Sequence, residues 1–264
     1  MQWRHRLFTM RELADDCRQR TSAWLSCAEA ERFRAFRDVR SSLRWLAGRY
    51  AVKTLLGELV PLTDSWTDLH VESRDGRGRM SRPKAHLRGR LQPWPLALTH
   101  VDGYVYVAAA LSPEVELGVD VVDLVSVSPG AIEFWFTPDE KDWCRRLACP
   151  TAFALVWSLK EAWYKARNHG EPFAPRGLDV CPLLPVDPRI LNRLTGEWTD
   201  GSITWTHNGR WISVCRRGRA LATLVVARLA RPVRAVPLRR FDKSFNRIGL
   251  IESNWRDCLR ELNA

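Results

Sequence analysis

Residues 157–166, WSLKEAWYKA, combine a helical pattern with closely spaced charges. Glu161 and Lys165 are four residues apart and Lys160 adjoins the acid, so on a helix Glu161 and Lys165 are neighbours. The tryptophans and alanines between the charges supply an apolar surface suited to packing on a core. A surface ion pair of Glu161 with Lys165, worth about 0.3 kcal/mol, is the simplest account of the pattern.

A second carboxylate upstream favours a different account. The stretch 117–123, LGVDVVD, places Asp120 inside an apolar strand, where an acid needs a cation or hydrogen-bond donors. Asp123 lies three residues further on, so strand alternation points it to the opposite face. Asp120 and Glu161 together would offer the hard oxygen ligands that Mg²⁺ takes alongside water and substrate phosphate. The sequence therefore predicts a magnesium site.

Basic residues in both halves of the chain suit a phosphorylated ligand, because arginine and lysine both bind phosphate. Those singled out are Arg32, Arg44, Lys53, Arg82, Lys160 and Lys165, together with His100, which follows Thr99 in a predicted strand. Neither GxxxxGK[ST] nor GxGxxG occurs, so neither a Walker nucleotide site nor a dinucleotide fold is predicted.

Composition limits the class of protein. The 264 residues are 45% hydrophobic and 27% charged, which is typical of a globular chain with one large domain or two halves. The net charge of +11 either attracts anionic partners or reflects an arginine-rich surface. Seven cysteines without a CxxC pair indicate reduced thiols, and six dispersed histidines give no metal pattern. We expect a cytoplasmic protein, because no apolar stretch could span a bilayer and the N-terminus has no signal-peptide core.

The order of predicted elements indicates an α+β fold. Helices are predicted over 10–36, over 41–59 with Ser41 or Ser42 as cap, around 157–166, and over 253–262; residues 72–95 read as a loop. Strands are predicted at LALTH, YVYVAAAL, LGVDVVDLV, SITWTH, RWISVCR and ALATLVVARL, and NG at 208–209 predicts a type I′ turn. Thr137, Pro138 and Glu140 form the pattern of a capping box.

An internal match suggests a duplicated architecture. Trp45–Lys53, WLAGRYAVK, and Trp157–Lys165, WSLKEAWYK, both place lysine eight residues after tryptophan and precede β-rich segments. We predict two similar α+β halves related by a pseudo-twofold, each with a helix packed on a small, mostly antiparallel sheet. The predicted boundaries are 1–118, 119–230 and a basic tail, 231–264, with a terminal helix; a chance match is the alternative.

The motif GVDVVD, followed about forty residues later by WSLKEAWYK, resembles the paired signature of the 4′-phosphopantetheinyl transferases of the large single-chain Sfp type. That signature is G-[IV]-D, then W-[ST]-x-K-E-[AS]-x-x-K. The stretch FRAFRDVRSSLRWLAGRYAVKTLLG resembles the family's first cofactor-binding helix region, MSRPKAHL its Gly-Lys-Pro loop, and LALTHVDGYVYVAA its Ser-His strand and hairpin. The resemblance covers roughly residues 29–180.

The resemblance implies a reaction and a role for each matching residue. Asp120 and Glu161 would bind a Mg²⁺ that bridges the pyrophosphate of coenzyme A, and Lys165 with Lys160 would contact the pyrophosphate and stabilise the leaving 3′,5′-ADP. Thr99 and His100 stand for the Ser-His pair near the 3′-phosphate, Arg82 for the lysine before proline, and Arg32 and Arg44 for basic residues near the adenosine. The acceptor would be a serine of an acyl or peptidyl carrier protein, with Glu161 or a metal-bound water as general base.

One departure from the family pattern leaves alternatives open. The family usually has a second acid two residues after the first, and Val122 stands there. Water could fill that position, or the chain could be a non-catalytic homologue that binds coenzyme A. A basic nucleic-acid-binding protein is a further reading of the charge, although no nucleic-acid-binding motif occurs. We expect a monomer whose partners are coenzyme A and a carrier protein, with no nucleic acid and no membrane.

Overall fold

The protein consists of helices packed on three small antiparallel sheets, as seen in a computed structural model. The structure describes residues 2–18, 21–60, 66–74, 80–124, 129–167, 172–196 and 200–228. The strands are β1 Trp3–Thr9, β2 Leu69–Arg74, β3 Met80–Leu87, β4 Arg90–Leu91, β5 Leu96–Val101, β6 Tyr104–Ala110, β7 Val115–Asp123, β8 Asp200–His207, β9 Arg210–Arg217 and β10 Ala220–Arg228. The helices are α1 Met10–Arg18, α2 Cys27–Arg34, α3 Val39–Leu59, α4 Pro129–Trp135, α5 Pro138–Leu147, α6 Pro150–Arg167 and α7 Pro188–Thr195.

The predicted α+β class is confirmed. The sheets have the orders β1-β6-β5, β2-β3-β4 and β7-β10-β9-β8, and every pairing is antiparallel. No helix of the described residues is long and apolar enough to cross a membrane. The predicted tail 231–264 and its terminal helix lie outside the described residues.

In the first part of the chain, up to the end of β6, several predicted elements differ from the structure. The helix predicted over 10–36 is broken, because Ser26 caps a separate helix α2. Helix α3 is capped by Asp38, whose carboxylate accepts the backbone N–H groups of Arg40 and Ser41, and not by Ser41 or Ser42. The loop predicted over 72–95 includes the end of β2 and the whole of β3 and β4. Pro83 is tolerated there because the register shift between Glu72 and Arg74 lies opposite this residue, which has no N–H.

In the second part, from β7 onward, the capping box, three strands and one turn follow the prediction, whereas helices α4 and α7 were not predicted. Thr137 and Glu140 form both hydrogen bonds of the capping box, at 2.8 and 3.3 Å, with Pro138 in the first turn of α5. The three strands β8, β9 and β10 match the predicted segments. Asn208 and Gly209 have φ values of 48° and 72°, as a type I′ turn requires.

Direct backbone contact fixes how α6 lies on β7. A Cβ atom at Gly118 would lie only 1.8 Å from the carbonyl oxygen of Ala162 and 2.5 Å from the nitrogen of Ala166, so only glycine fits. The even-numbered residues of β7 share this face, which places Asp120 against the same helix. Because β7 pairs with β10 along its whole length, the boundary predicted after residue 118 falls inside a strand.

Each part of the chain contains a buried lysine–glutamate ion pair in the same structural setting. Lys53 on α3 lies 2.6 Å from Glu29 of α2, and Lys160 on α6 lies 2.6 Å from Glu140 of α5. Each acid is the third residue of a capping box and also accepts one later backbone N–H, from Val71 and Val180 respectively. We propose that the two parts are related, with Lys53 corresponding to Lys160 and not, as the sequence match suggested, to Lys165.

Candidate active site

Asp120, Glu161 and Lys165 form one cluster where β7 meets α6. The Lys165 ammonium lies 2.7 Å from Asp120 Oδ1 and 2.8 Å from Glu161 Oε2. Asp120 is only 4% exposed, whereas the side chains of Glu161 and Lys165 are 27% and 34% exposed. The cluster therefore has a buried acid at its base and an acid and an ammonium open to an incoming ligand.

Burial governs the charge of this cluster. Desolvation raises the pKa of Asp120 to about 7; the Lys165 ammonium opposes this shift and the Glu161 carboxylate adds to it. Desolvation of Lys165 is outweighed by the two acids, which raise the pKa of the amine and keep it protonated. With both acids ionised, one ammonium faces two carboxylates, so the cluster keeps a surplus negative charge suited to a further cation.

The donor set fits Mg²⁺. Asp120 Oδ2 is buried and makes no hydrogen bond among the described residues, although the nearby Ser158 hydroxyl lowers the pKa of this acid. Within the described ranges, no group of three or more acidic, histidine or cysteine side chains suited to a metal occurs. The two carboxylates would thus need water and ligand phosphate to complete the octahedral coordination that Mg²⁺ prefers.

Residues of the first part lie on the open side of the cluster. The pKa of His100 is lowered by desolvation and then by the nearby cations Arg44 and Lys165, with Asp102 opposing. The Asp102 carboxylate also pairs with Arg44 and, at 2.7 Å, with Arg40. His100, at the exposed end of β5, therefore lies within electrostatic range of Lys165. Thr99 precedes it on β5, paired in register with Tyr106 of β6.

Arg82 contacts the backbone of the helix that carries Glu161 and Lys165. Its Nη2 donates to the backbone carbonyl oxygens of Lys165 and Ala166, at 2.7 and 2.6 Å. These carbonyls belong to the last turn of α6, where no intrahelical donor remains. Arg82 thus contacts the backbone of the residue whose ammonium lies between the two acids.

Two predicted site residues are not brought to the cluster. Lys160 is fully buried on another face of α6, where its ammonium contacts Glu140 and donates to the carbonyl oxygens of Pro175 and Leu178, at 2.8 and 2.5 Å. The structure therefore gives it no access to a phosphate. Arg32 lies exposed on α2, with its guanidinium 5.0 Å from the centre of the Phe36 ring.

The acids near the end of β7 are arranged as alternation predicts. Val122 shares the face of Asp120 and packs against the core around α6. Asp123 lies on the other face, where its carboxylate is 3.4 Å from the guanidinium of Arg219. An apolar side chain therefore lies in the row that carries the buried acid.

Three residues of this region escaped the sequence reasoning, namely Asp102, Gly118 and Glu140. The capping-box position of Glu140 was recognised, but its pairing with Lys160 depends on tertiary packing. Gly118 lies two residues before Asp120 in the strand motif, and its spacing alone gives no sign of contact with a helix. Asp102 lies in the turn between β5 and β6, and an acid between two strands of a basic protein is itself a signal for an arginine partner.

Comparison with known proteins agrees with the sequence motifs over part of the chain. Residues 116–215 match the family described as the 4′-phosphopantetheinyl transferase superfamily, which is less than half of the chain. A search of curated proteins gave no match. Among solved structures, the chain is similar to the holo-ACP-synthase of Plasmodium yoelii, with 12% identity and a TM-score of 0.33, covering 40% of this chain and 90% of that one.

Proposed function

We propose that this protein is a 4′-phosphopantetheinyl transferase of the large single-chain type. It would transfer the 4′-phosphopantetheine group from coenzyme A to a serine of an acyl or peptidyl carrier protein and release 3′,5′-ADP. The observation that carries the proposal is the contact of Lys165 with both Asp120 and Glu161, the three residues that the paired motifs single out. The family match over residues 116–215 supports the same reaction.

Asp120 and Glu161 would hold Mg²⁺, and Glu161 is exposed enough to meet a ligand. When bound, Mg²⁺ supplies positive charge that neutralises the pyrophosphate while the phosphorus–oxygen bond breaks. Lys165 would turn its ammonium to the pyrophosphate oxygens, where it stabilises the charge that develops on the leaving 3′,5′-ADP. This role suits a lysine that remains protonated through its contact with two acids.

The serine oxygen of the carrier protein would attack the phosphorus that bears the pantetheine arm. A bond forms from that oxygen to phosphorus, the bond to the bridging oxygen breaks, and 3′,5′-ADP leaves with the electron pair. Glu161 would accept the serine proton as general base. Arg44, His100 and Thr99, at the hairpin side of the cluster, would bind the nucleotide end of coenzyme A.

A non-catalytic homologue that binds coenzyme A is the second candidate. Val122 favours it, because an apolar side chain packed against the core stands in the row of the buried acid. Such a protein would bind coenzyme A without transferring the arm.

Mass spectrometry of apo-carrier proteins separates the two candidates. Candidate carrier proteins are incubated with the protein, coenzyme A and Mg²⁺, and a gain of one phosphopantetheinyl mass on the carrier is expected. Omission of coenzyme A, or chelation of Mg²⁺, should abolish the gain. Binding of coenzyme A in calorimetry with no mass gain on any carrier would contradict catalysis and favour the homologue.

A further inference from the structure

Arg82 donates hydrogen bonds to the C-terminal end of helix α6. Its Nη2 donates to Lys165 O at 2.7 Å and to Ala166 O at 2.6 Å, and the residue itself lies on β3, in the other part of the chain. Helix α6 ends at Arg167, so both carbonyls are among the last four, which have no intrahelical donor. A guanidinium at this end also complements the negative pole of the helix.

The same turn of α6 is held from a second side. Gly118 allows the backbone of β7 to touch α6 at Ala162 and Ala166, and Arg82 binds the carbonyl of that same Ala166. Glu116, two residues before Gly118 on the same face of β7, supports the charge of Arg82 and raises its pKa against the larger lowering by desolvation. The last turn of α6 therefore lies between a strand that it touches directly and an arginine that caps it.

Lys165 is the residue whose position this arrangement fixes. Its backbone carbonyl accepts a hydrogen bond from Arg82, and its ammonium reaches Asp120 and Glu161. If the last turn frayed, the Cα of Lys165 would move, and the four-carbon side chain would no longer define where its charge lies.

We propose that Arg82 is a positioning residue for Lys165 and acts through the C-terminal turn of α6 rather than by contacting the cofactor. This inference rests on the proposed transferase function and differs from the role that the family resemblance implied for the same residue. A cofactor contact would chiefly contribute affinity for coenzyme A. A positioning residue would chiefly contribute to turnover, because a displacement of about 1 Å can lower a rate up to about 10²-fold.

The test compares Arg82→Met with Arg82→Lys, and uses Arg189→Met on the exposed face of α7 as the matched control. Hydrogen exchange of the amides in residues 163–167 should become about tenfold faster in Arg82→Met, which corresponds to about 1.4 kcal/mol of lost protection. Exchange in β8 and β9 should stay unchanged, which separates a local effect from general destabilisation. Arg82→Lys keeps a donor and should restore part of the protection, and it replaces the methionine variant if that variant does not fold.

Affinity and turnover complete the test. The dissociation constant for coenzyme A, measured by calorimetry, should change less than about twofold, whereas kcat for transfer should fall about tenfold. A large loss of coenzyme A affinity with unchanged exchange would overturn the proposal in favour of a direct contact, and no change in either would overturn it as well. Exchange and affinity need no turnover, so they still test Arg82 if the unmodified protein transfers nothing, an outcome that would instead defeat the proposed function.

Discussion

The ammonium of Lys165 lies 2.7 Å from the carboxylate of Asp120, on a strand where that acid is almost completely buried. The same ammonium lies 2.8 Å from Glu161. A single lysine therefore holds two acids together through one oxygen of each, and its charge competes with a divalent cation for the same carboxylates. For this arrangement to support phosphoryl transfer, Lys165 must exchange one set of anionic partners for another.

Replacing Lys165 should therefore separate metal binding from catalysis. Lys165→Met removes the positive charge that competes for the two carboxylates, so Mn²⁺ should bind about tenfold more tightly without coenzyme A. Mn²⁺ titration followed by electron paramagnetic resonance measures this, at a pH well above the Asp120 pKa of about 7, because loss of Lys165, which lowers that pKa, raises it further in the variant. Transfer should be lost in the same variant.

The control for that experiment is Lys141→Met, whose ammonium pairs with Glu133 on another helix. Its Mn²⁺ affinity should match that of the unmodified protein. Weaker Mn²⁺ binding in Lys165→Met would mean that the lysine organises the acids for the metal and does not compete with it.

Loss of either acid of the cluster should abolish transfer. Asp120→Ala and Glu161→Ala each remove one of only two carboxylates, and we expect a loss of at least about 10²-fold in kcat/KM. Asp123→Ala is the matched control, because its carboxylate faces away and contacts Arg219. Equal losses in all three variants would show that the second acid has been misassigned.

Restoring an acid beside Asp120 should strengthen the metal site. Val122 shares the face of Asp120, so Val122→Glu would add a third hard ligand and lower the Mg²⁺ concentration for half-maximal activity by about tenfold. Val122→Gln has nearly the same shape without the charge and should not produce this effect. An unchanged or higher Mg²⁺ requirement in Val122→Glu would argue that the core around this position excludes a carboxylate.

The sequence identified the charged residues of this site better than the contacts that hold the surrounding helices in place. Asp120, Glu161 and Lys165 were recognisable because an acid in an apolar strand and an acid four residues before a lysine are both local patterns. Lys160 could not be separated from them by spacing, since its partner Glu140 is twenty residues away and is brought to it by the packing of α5 on α6. Arg82 was singled out for its charge, but its helix-capping contact crosses between the two parts of the chain.

The errors in the fold have similar physical causes. The break at Ser26 and the cap at Asp38 depend on single polar side chains within helix-forming sequence, which averaged propensity does not resolve. The β2–β3 hairpin was hidden by its proline and charged residues. Strands at sheet edges and bulges tolerate such residues, so the usual apolar alternation is weak there.

A half-buried histidine should make the fold sensitive to acid. His5 has its pKa lowered from 6.5 to about 4 by desolvation, and its Nδ1 lies 2.8 Å from the hydroxyl of the fully buried Tyr106. The unfolded chain takes up the proton first, so stability should fall by up to about 3 kcal/mol as the pH drops from 6.5 to 4. His5→Gln should flatten that part of the curve, measured by urea unfolding. An identical slope in both proteins would assign the acid sensitivity to other groups.

The positive charge of the chain should act mainly on a protein partner. Carrier proteins are commonly acidic, and complementary fields chiefly raise association rates. Arg88 and Arg90 lie at the exposed β3–β4 turn, within the loop predicted over 72–95, where Arg88 is 3.4 Å from Asp68. Reversing both to glutamate should raise the KM for carrier protein about threefold or more at low salt and leave that for coenzyme A nearly unchanged. Reversing Arg189 and Arg228 instead changes the net charge equally and should have a smaller effect, because the field that steers a partner depends on where the charge lies.

A rise in the KM for coenzyme A would make the β3–β4 turn part of the cofactor site. Equal effects of the two double variants would mean that net charge alone attracts the partner.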